Sequence, residues 1–260
     1  MFSIITASFN QGRFIRECIE SVVSQGVEFE HIIVDACSTD ETLDVLREFP
    51  HLKWTSEPDK GQTDAINKGF RRATGDWCMW LNSDDRLRPG ALKAVEEFLA
   101  RHPDADVVYG ECVFVAEDGG MIEWKKQHRF SYVVLVLCGC YIPSTSCFYR
   151  RKVFEDGMWL DDSFKVCMDF DFYVRLADAG YRFEFIPRAL ADFRWHADNV
   201  STVHSARRTE ERHKVQRAWL AKRGLGWMGG TLTLKALYYL FMLRRRWLKA
   251  LRIIKYPAHP

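Results

Sequence analysis

Three short polar runs early in the chain carry the side chains most capable of chemistry: Thr6-Ala7-Ser8-Phe9-Asn10, Asp35-Ala36-Cys37-Ser38 and Asn82-Ser83-Asp84-Asp85. Each follows an apolar run that reads as a strand, and ligands of open parallel sheets bind outside the carboxyl ends of the strands. Asp84-Asp85 alone would be an ordinary solvated turn ahead of Pro89. Adjacent carboxylates raise each other's pKa unless a cation compensates. A hard divalent metal held by one or two carboxylates plus substrate phosphates resolves that conflict. The coincidence of three polar strand ends, more than any one of them, therefore points to a metal and a phosphorylated ligand. A glycine cradle for phosphate is excluded, because no G-x-G-x-x-G follows the first strand and no G-x-x-x-x-G-K-[ST] occurs in the chain.

The elements that must position these runs alternate between strand and helix. Phe2–Ala7 reads as a strand, with Asn10 as cap of a helix bearing Phe14, Cys18, Ile19, Val22 and Val23 at helical spacing. A strand over His31–Asp35 is followed by Ser38 and Glu41, spaced as a capping box for a helix with Leu43, Leu46 and Phe49. Lys53–Ser56 is a weaker strand, and a helix after Gly61 presents Ala65, Ile66, Phe70 and Ala73 on one face. Trp77–Leu81 is a buried strand, and Pro89 is placed to open the next helix. This alternation predicts an α/β fold with a mostly parallel central sheet flanked by helices. Beyond residue 106 the texture changes to a hairpin (Val107–Val115 with Met121–Lys126), a helix over Met168–Ala179, strands at Arg182–Ile186 and Leu190–Trp195, and a helical C-terminal extension.

The 260 residues, 47% hydrophobic and 28% charged, suffice for a sizeable core and exclude disorder and disulfide miniproteins. The net charge of +2 hides an asymmetry: residues 205–260 carry 14 Lys/Arg against Glu210 and Glu211, whereas residues 1–204 carry 23 bases and 33 acids. The eight cysteines show no C-x-x-C spacing and read as reduced, mostly buried thiols of a cytosolic protein. Met1 leads straight into a strand, without a secretory signal. The stretch 225–243, interrupted by glycines and Lys235, is at best a marginal membrane span.

Four blocks together resemble family 2 glycosyltransferases: Ser3-Ile4-Ile5-Thr6-Ala7-Ser8-Phe9-Asn10, Val34-Asp35 with Ser38 and Asp40, Asp59-Lys60-Gly61-Gln62-Thr63-Asp64-Ala65-Ile66-Asn67-Lys68-Gly69, and Trp80-Leu81-Asn82-Ser83-Asp84-Asp85. The resemblance spans roughly residues 1–200 and implies a GT-A fold, a nucleotide-sugar donor (a UDP-sugar by preference), Mn²⁺ or Mg²⁺, and inverting hexosyl or N-acetylhexosaminyl transfer. It divides the chain into a domain over 1–204, with nucleotide-sugar binding in 1–110 and acceptor and catalytic parts in 111–204, and a basic tail over 205–260. It assigns Thr6, Ser8 and Asn10 to the nucleotide pocket, Asp35 to the base, Asp64 to closing the pocket, and Asn82 and Ser83 to nucleotide contacts. The family's D-x-D motif corresponds to Asn82-Ser83-Asp84, so Asn82 stands where the first acid would be and Asp84 becomes the principal metal ligand. Ala36 likewise follows Asp35 where the family often has a second acid. Cys167-Met168-Asp169-Phe170-Asp171 resembles the segment carrying the catalytic base, which matches Asp169; a carboxylate at a helix start is held ionised by the helix dipole. Phe193-Arg194-Trp195-His196, with Ser201 after it, resembles a late Arg-x-His segment whose His reaches metal or pyrophosphate. Asp85, Arg194, Ser201, Ser144 and Thr145 are candidates for diphosphate or acceptor contacts.

The C-terminal pattern bears on the acceptor. At 100° per residue Arg245, Lys249 and Arg252 share one stripe, opposite Leu240, Leu243, Trp247, Leu251 and Ile254. That pattern suits a helix lying in an anionic membrane interface, or one packed on the acidic body. A nucleic-acid partner is not expected, since no binding motif accompanies the bases. With the resemblance, the tail implies a saccharide or lipid-linked acceptor in bacterial surface-polysaccharide synthesis, and a cytoplasmic protein peripheral to the inner face of the membrane. A sugar nucleotidyltransferase is the rival enzyme, although only Gly12-Arg13 stands where its glycine-rich loop would be. A non-catalytic nucleotide-sugar-binding scaffold is the rival without turnover.

Overall fold

The structure is a computed structural model and describes residues 1–197, 199 and 205–255. Four parallel strands form its first half: β1 (Phe2–Ser8), β2 (Phe29–Asp35), β3 (Lys53–Ser56) and β4 (Trp77–Trp80), ordered β3-β2-β1-β4. Three crossovers carry α1 (Gly12–Val23), α2 (Thr42–Arg47) and α3 (Gln62–Arg72). β1 and β4 are buried along nearly their whole length because helices cover both faces of the sheet, which is why they read as continuous apolar runs. Side chains still alternate: Ile5 and Trp80 enter one core cluster, and Ile4 and Met79 the other. α3 lies so close on β1 that a Cβ on Gly69 would sit 2.4 Å from Ile5 Cγ2.

The second half is mixed. β5 (Arg86–Leu87) and α4 (Ala91–Arg101) are followed by the hairpin β6 (Val107–Val115) and β7 (Met121–Lys125). Next come α5 (Tyr132–Cys138), a 3₁₀ turn at Ser144–Ser146, β8 (Cys147–Arg150), α6 (Lys152–Glu155), α7 (Met168–Asp178) and β9 (Phe183–Arg194). Antiparallel β8 joins β4 to β6, and β9 runs parallel to β6 and carries β5 at the edge, so one sheet continues across both halves. An aromatic seam occupies the join: Trp80 and Tyr149 stack at 5.3 Å with planes 5° apart, beside Phe70 on Phe154 at 4.0 Å. The two strands expected over 182–195 are one strand whose register shifts opposite Glu111, with Pro187 in the irregular stretch.

Two capping expectations are corrected. Neither Asn10 nor Ser38 caps a helix. Asp40 serves both, taking Gly12 N–H at the start of α1 (2.9 Å) and Thr42 N–H at the start of α2 (3.0 Å). Its two oxygens face both helix starts, so the local Ser38/Glu41 box is not formed. Pro89 lies ahead of α4, which begins after Gly90 in a left-handed conformation.

Two helices follow the body, α8 (Ser205–Lys222) and, after a 3₁₀ turn at Gly226–Met228, α9 (Thr231–Lys255). α8 is bound into the body: Gln216 donates to Val136 O (2.8 Å), Trp219 donates to the Tyr132 hydroxyl (2.8 Å), and Lys222 pairs with Asp178 (2.7 Å). α9 lies along α5. The basic stripe differs from expectation. Arg245 lies over the Tyr141 ring at 5.5 Å, and Lys249 is half-buried, so both turn toward the body. Leu240, Leu243 and Trp247 stay exposed with Arg244 and Arg246 beside them. Of residues 252–255 only the backbone is described, so the expected directions of Arg252 and Ile254 lie outside the described side chains. Among the described residues no helix is long and apolar enough to cross a membrane.

Candidate active site

The carboxyl ends of β1 to β4 open onto one cavity of about 560 Å³. Ser8 and Phe9 line it at the end of β1, Ala36 and Cys37 after β2, Pro58, Asp59, Gly61 and Gln62 after β3, and Asn82, Ser83 and Asp84 after β4; His196 and Asn199 close it from beyond β9. Its size and position suit a ligand of nucleotide size at the strand ends. The buried Ser8 hydroxyl has no hydrogen-bond partner among the described residues. An orphan hydroxyl of this kind is a ready contact for a ligand. Cys37 is held at φ 58°, a strained conformation for a residue with a side chain, at the cavity wall.

The turn after β4 is braced from three sides. Asp85 is fully buried and accepts from Asn82 Nδ2 (2.8 Å), Thr145 Oγ1 (2.9 Å) and Arg194 N–H (2.9 Å). Burial, and then the neighbouring Asp84 charge, push its carboxyl well above the usual range. Arg194 is 2% exposed and directs its guanidinium to Asp84 O (3.0 Å), Glu117 O and Glu17 (2.6 Å), over the Phe14 ring. Asp84 itself reaches the cavity wall, where its Oδ2 lies 2.9 Å from His196 Nε2 and 3.4 Å from Asn199 Nδ2.

That pair fits a divalent cation. Ligands at neighbouring positions around an octahedral ion with bonds near 2.1 Å stand about 3 Å apart, which is the Asp84–His196 separation. Among the described residues no group of three or more His, Cys, Asp or Glu could hold a metal. Among the described residues the Asp84–His196 pair offers two donors, leaving the other positions to phosphate oxygens and water.

The expected pocket residues divide. Ser8, Asn82, Ser83, Asp84 and His196 line the cavity. Thr6 is buried against His31 (3.0 Å), and Asp35, also buried, accepts from Ser38 N–H (2.9 Å), the Ser38 hydroxyl and Ser56 Oγ (2.6 Å). Asn10 is exposed and accepts from Thr39 N–H (2.8 Å), while Asp64 is half-buried near Lys68 (3.6 Å). Ser144 is half-buried in its 3₁₀ turn, and Thr145 and Arg194 brace the Asp84-Asp85 turn from behind. Ser201 lies outside the described residues. Asn199, Gln62 and Glu17 were not expected; Gln62 donates to Asn82 Oδ1 (3.0 Å) and so joins two cavity walls.

Asp169 stands apart from the cavity lining, in the first turn of α7. The start of α7 meets α3 through buried Thr63, the neighbour of cavity-lining Gln62; the Thr63 hydroxyl lies 2.8 Å from Met168 Sδ. The helix dipole does not dominate at Asp169. Burial pushes its carboxyl up to about 6, against opposing hydrogen bonds from Phe170 N–H (2.7 Å) and the Cys140 thiol (3.7 Å). A carboxylate poised near neutrality is suited to accept a proton. Asp171 is instead committed to Arg175 (2.7 Å).

The model of the family described as Glycosyl transferase family 2 matches residues 3–159. The chain belongs to this family. A PGL/p-HBAD biosynthesis glycosyltransferase of Mycobacterium tuberculosis is 31% identical over 182 residues, covering 67% of this glycosyltransferase and 69% of the relative. In three dimensions it is similar to S. aureus TarS 1–349 in complex with UDP-GlcNAc, with a TM-score of 0.69 and 18% identity over 94% of this chain and 72% of that one. It is also similar to a mannosyltransferase from Pyrobaculum calidifontis in complex with GDP-Man and Mn²⁺, with a TM-score of 0.64 and 18% identity over 100% and 76% of the two chains. These likenesses show the GT-A fold, as expected, and family membership makes the chain a glycosyltransferase enzyme.

Proposed function

We propose that this glycosyltransferase moves a sugar from a UDP-sugar to a hydroxyl of a saccharide or lipid-linked saccharide, with inversion and with a divalent metal, in bacterial surface-polysaccharide synthesis. The observation that carries the reading is the Asp84–His196 pair on the wall of the cavity formed by the four strand ends. Asp84 and His196 would hold Mn²⁺ or Mg²⁺, which supplies charge neutralisation for the departing diphosphate. Asp85 and Arg194 keep the Asp84 turn in place from behind. Ser8, Asn82 and Ser83 contact the nucleotide directly, whereas Thr6, Asn10, Asp35 and Asp64 act by shaping the walls. Asp169 takes the proton of the acceptor hydroxyl as that oxygen attacks the anomeric carbon, and the bond to the nucleoside diphosphate breaks on the opposite face. The test is calorimetric binding of UDP, GDP and dTDP, each with and without Mn²⁺. Manganese-dependent binding of UDP is the expected result; no binding of any of the three would overturn the donor assignment.

The acceptor side of the reading draws on α9. Its exposed Leu243 (65%), Trp247 (61%), Leu240 and Tyr239 form an outward apolar stripe flanked by Arg244 and Arg246. An apolar face edged with arginine suits the interface of an anionic bilayer, which makes the enzyme peripheral on the inner face of the cytoplasmic membrane. Sedimentation with phosphatidylglycerol vesicles, but not with phosphatidylcholine vesicles, is expected. Leu243→Glu combined with Trp247→Glu should abolish it, and undiminished sedimentation of that variant would reject this surface.

A further inference from the structure

The base helix α7 has no side-chain cap of its own. Its entering backbone is held by a residue from α8. Lys165 N–H donates to Glu211 Oε1 (3.0 Å), and Val166 and Cys167 N–H both donate to Oε2 (2.9 Å each). Glu211 is 6% exposed and also pairs with Arg207 (2.8 Å). Although burial alone would raise its carboxyl, the three N–H donors and Arg207 hold it below the ordinary range. A remote carboxylate thus pins the three residues that lead into α7.

The opposite side of Asp169 is held from the same two C-terminal helices. Cys140 Sγ lies 3.7 Å from Asp169 Oδ2. Gln216 of α8 donates to Val136 O (2.8 Å), just upstream of Cys140. Gly139 (φ 87°) faces Arg212 of α8, whose Cδ would stand 3.3 Å from an added Cβ. Arg245 of α9 covers Tyr141. The remaining titratable neighbours facing Asp169 are Cys147 and Tyr149 of β8, Cys167 at the start of α7 and Tyr173 within it. Burial raises all four, so at neutral pH Asp169 is the group among them that carries charge.

We propose that α8 and α9 form a clasp that sets the catalytic base, with Glu211 and Cys140 as positioning residues acting through Asp169. The C-terminal helices then serve turnover directly, in addition to any role at a membrane. This rests on the reading of Asp169 as the base, so the test includes a readout that does not depend on activity. Carboxyl ¹³C NMR of the full chain follows the Asp169 titration in the parent, Cys140→Ala and Cys140→Ser proteins. Loss of the thiol donor removes a bond that favours the anion, so Cys140→Ala raises the midpoint by about half a pH unit; Cys140→Ser restores part of the shift. Glu211→Gln should lower kcat about tenfold through misplacement of the base. It should leave UDP affinity unchanged and speed amide exchange at residues 165–167. An unmoved Asp169 midpoint in Cys140→Ala, or unchanged exchange at those amides in Glu211→Gln, overturns the clasp. Full turnover by Asp169→Asn would remove the base assignment instead, and the NMR midpoint would still decide whether the clasp exists.

Discussion

The proposed donor and acceptor halves each hold carboxylates in place, and two of these, Asp35 and Asp169, are held by opposite means. After β2 the partners are close in sequence: Asp35 is held by Ser38, three residues on, and Asp40 by Thr42, two residues on, whereas Asp84 and Asp85 after β4 are held by Thr145, Arg194 and His196, 60 to 112 residues on. In the acceptor half Asp169 meets Cys140, 29 residues back, and the backbone leading into its helix meets Glu211, 44 to 46 residues on. The β2 wall of the cavity is therefore written into one βα unit, whereas the proposed base, like the Asp84 turn, takes its setting only once the tertiary structure has closed around it. The β2 wall should tolerate changes elsewhere in the molecule, and Asp169 should register them.

The sharpest separation of the halves comes from Asp169→Asn. Turnover should fall by about 10²- to 10⁴-fold, the usual worth of a general base, while UDP affinity in calorimetry stays within about twofold. Equal loss of both would erase the distinction between the halves. Asp84→Ala is the mirror case: manganese-dependent UDP affinity should drop by about 100-fold, and a manganese titration like that of the parent would reject Asp84 as ligand. Acid should also reach the proposed base. Because the Asp169 carboxyl sits at about 6, kcat should decline below that pH, approaching about tenfold per unit, and a pH-independent kcat from 5 to 8 would contradict the assignment.

The smallest effect concerns stability. A carboxyl whose folded pKa is raised from 3.8 to about 6 favours the fold at low pH, and that contribution is lost as pH rises through this interval. At pH 7 the buried anion costs the fold, so Asp169→Asn should stabilise the protein there by ~1 kcal/mol. The gain should shrink at pH 5, and urea denaturation at the two values measures it. No gain at pH 7 would mean that the acceptor half holds its anion without strain.

The same contrast explains what could be read in the sequence. The strands of the donor half are apolar and end in polar runs, so the parallel block and four of the cavity residues, Ser8, Asn82, Ser83 and Asp84, were legible without coordinates. Capping was misread at two places because one side chain, Asp40, serves two helix starts, a geometry that local spacing does not reveal. β9 read as two strands because Pro187 and Arg188 interrupt its apolar pattern where the register shifts. A helical projection of α9 orders its faces but does not say which one meets the body; the Tyr141 ring drew Arg245 inward. Glu211 was hidden by its surroundings, one of two acids in a segment otherwise notable for its bases. Cys140 stood in a polar loop with nothing nearby to mark its contact with a residue 29 positions away.

The Asp84–His196 contact spans 112 positions of the chain. At 5–20 residues per second, a ribosome takes roughly 6–20 s to add that length. For that interval the growing polypeptide holds the carboxylate without its imidazole partner. Assembly of the proposed metal wall thus waits on the residues just beyond β9, and the clasp from α8 and α9 is completed only after it.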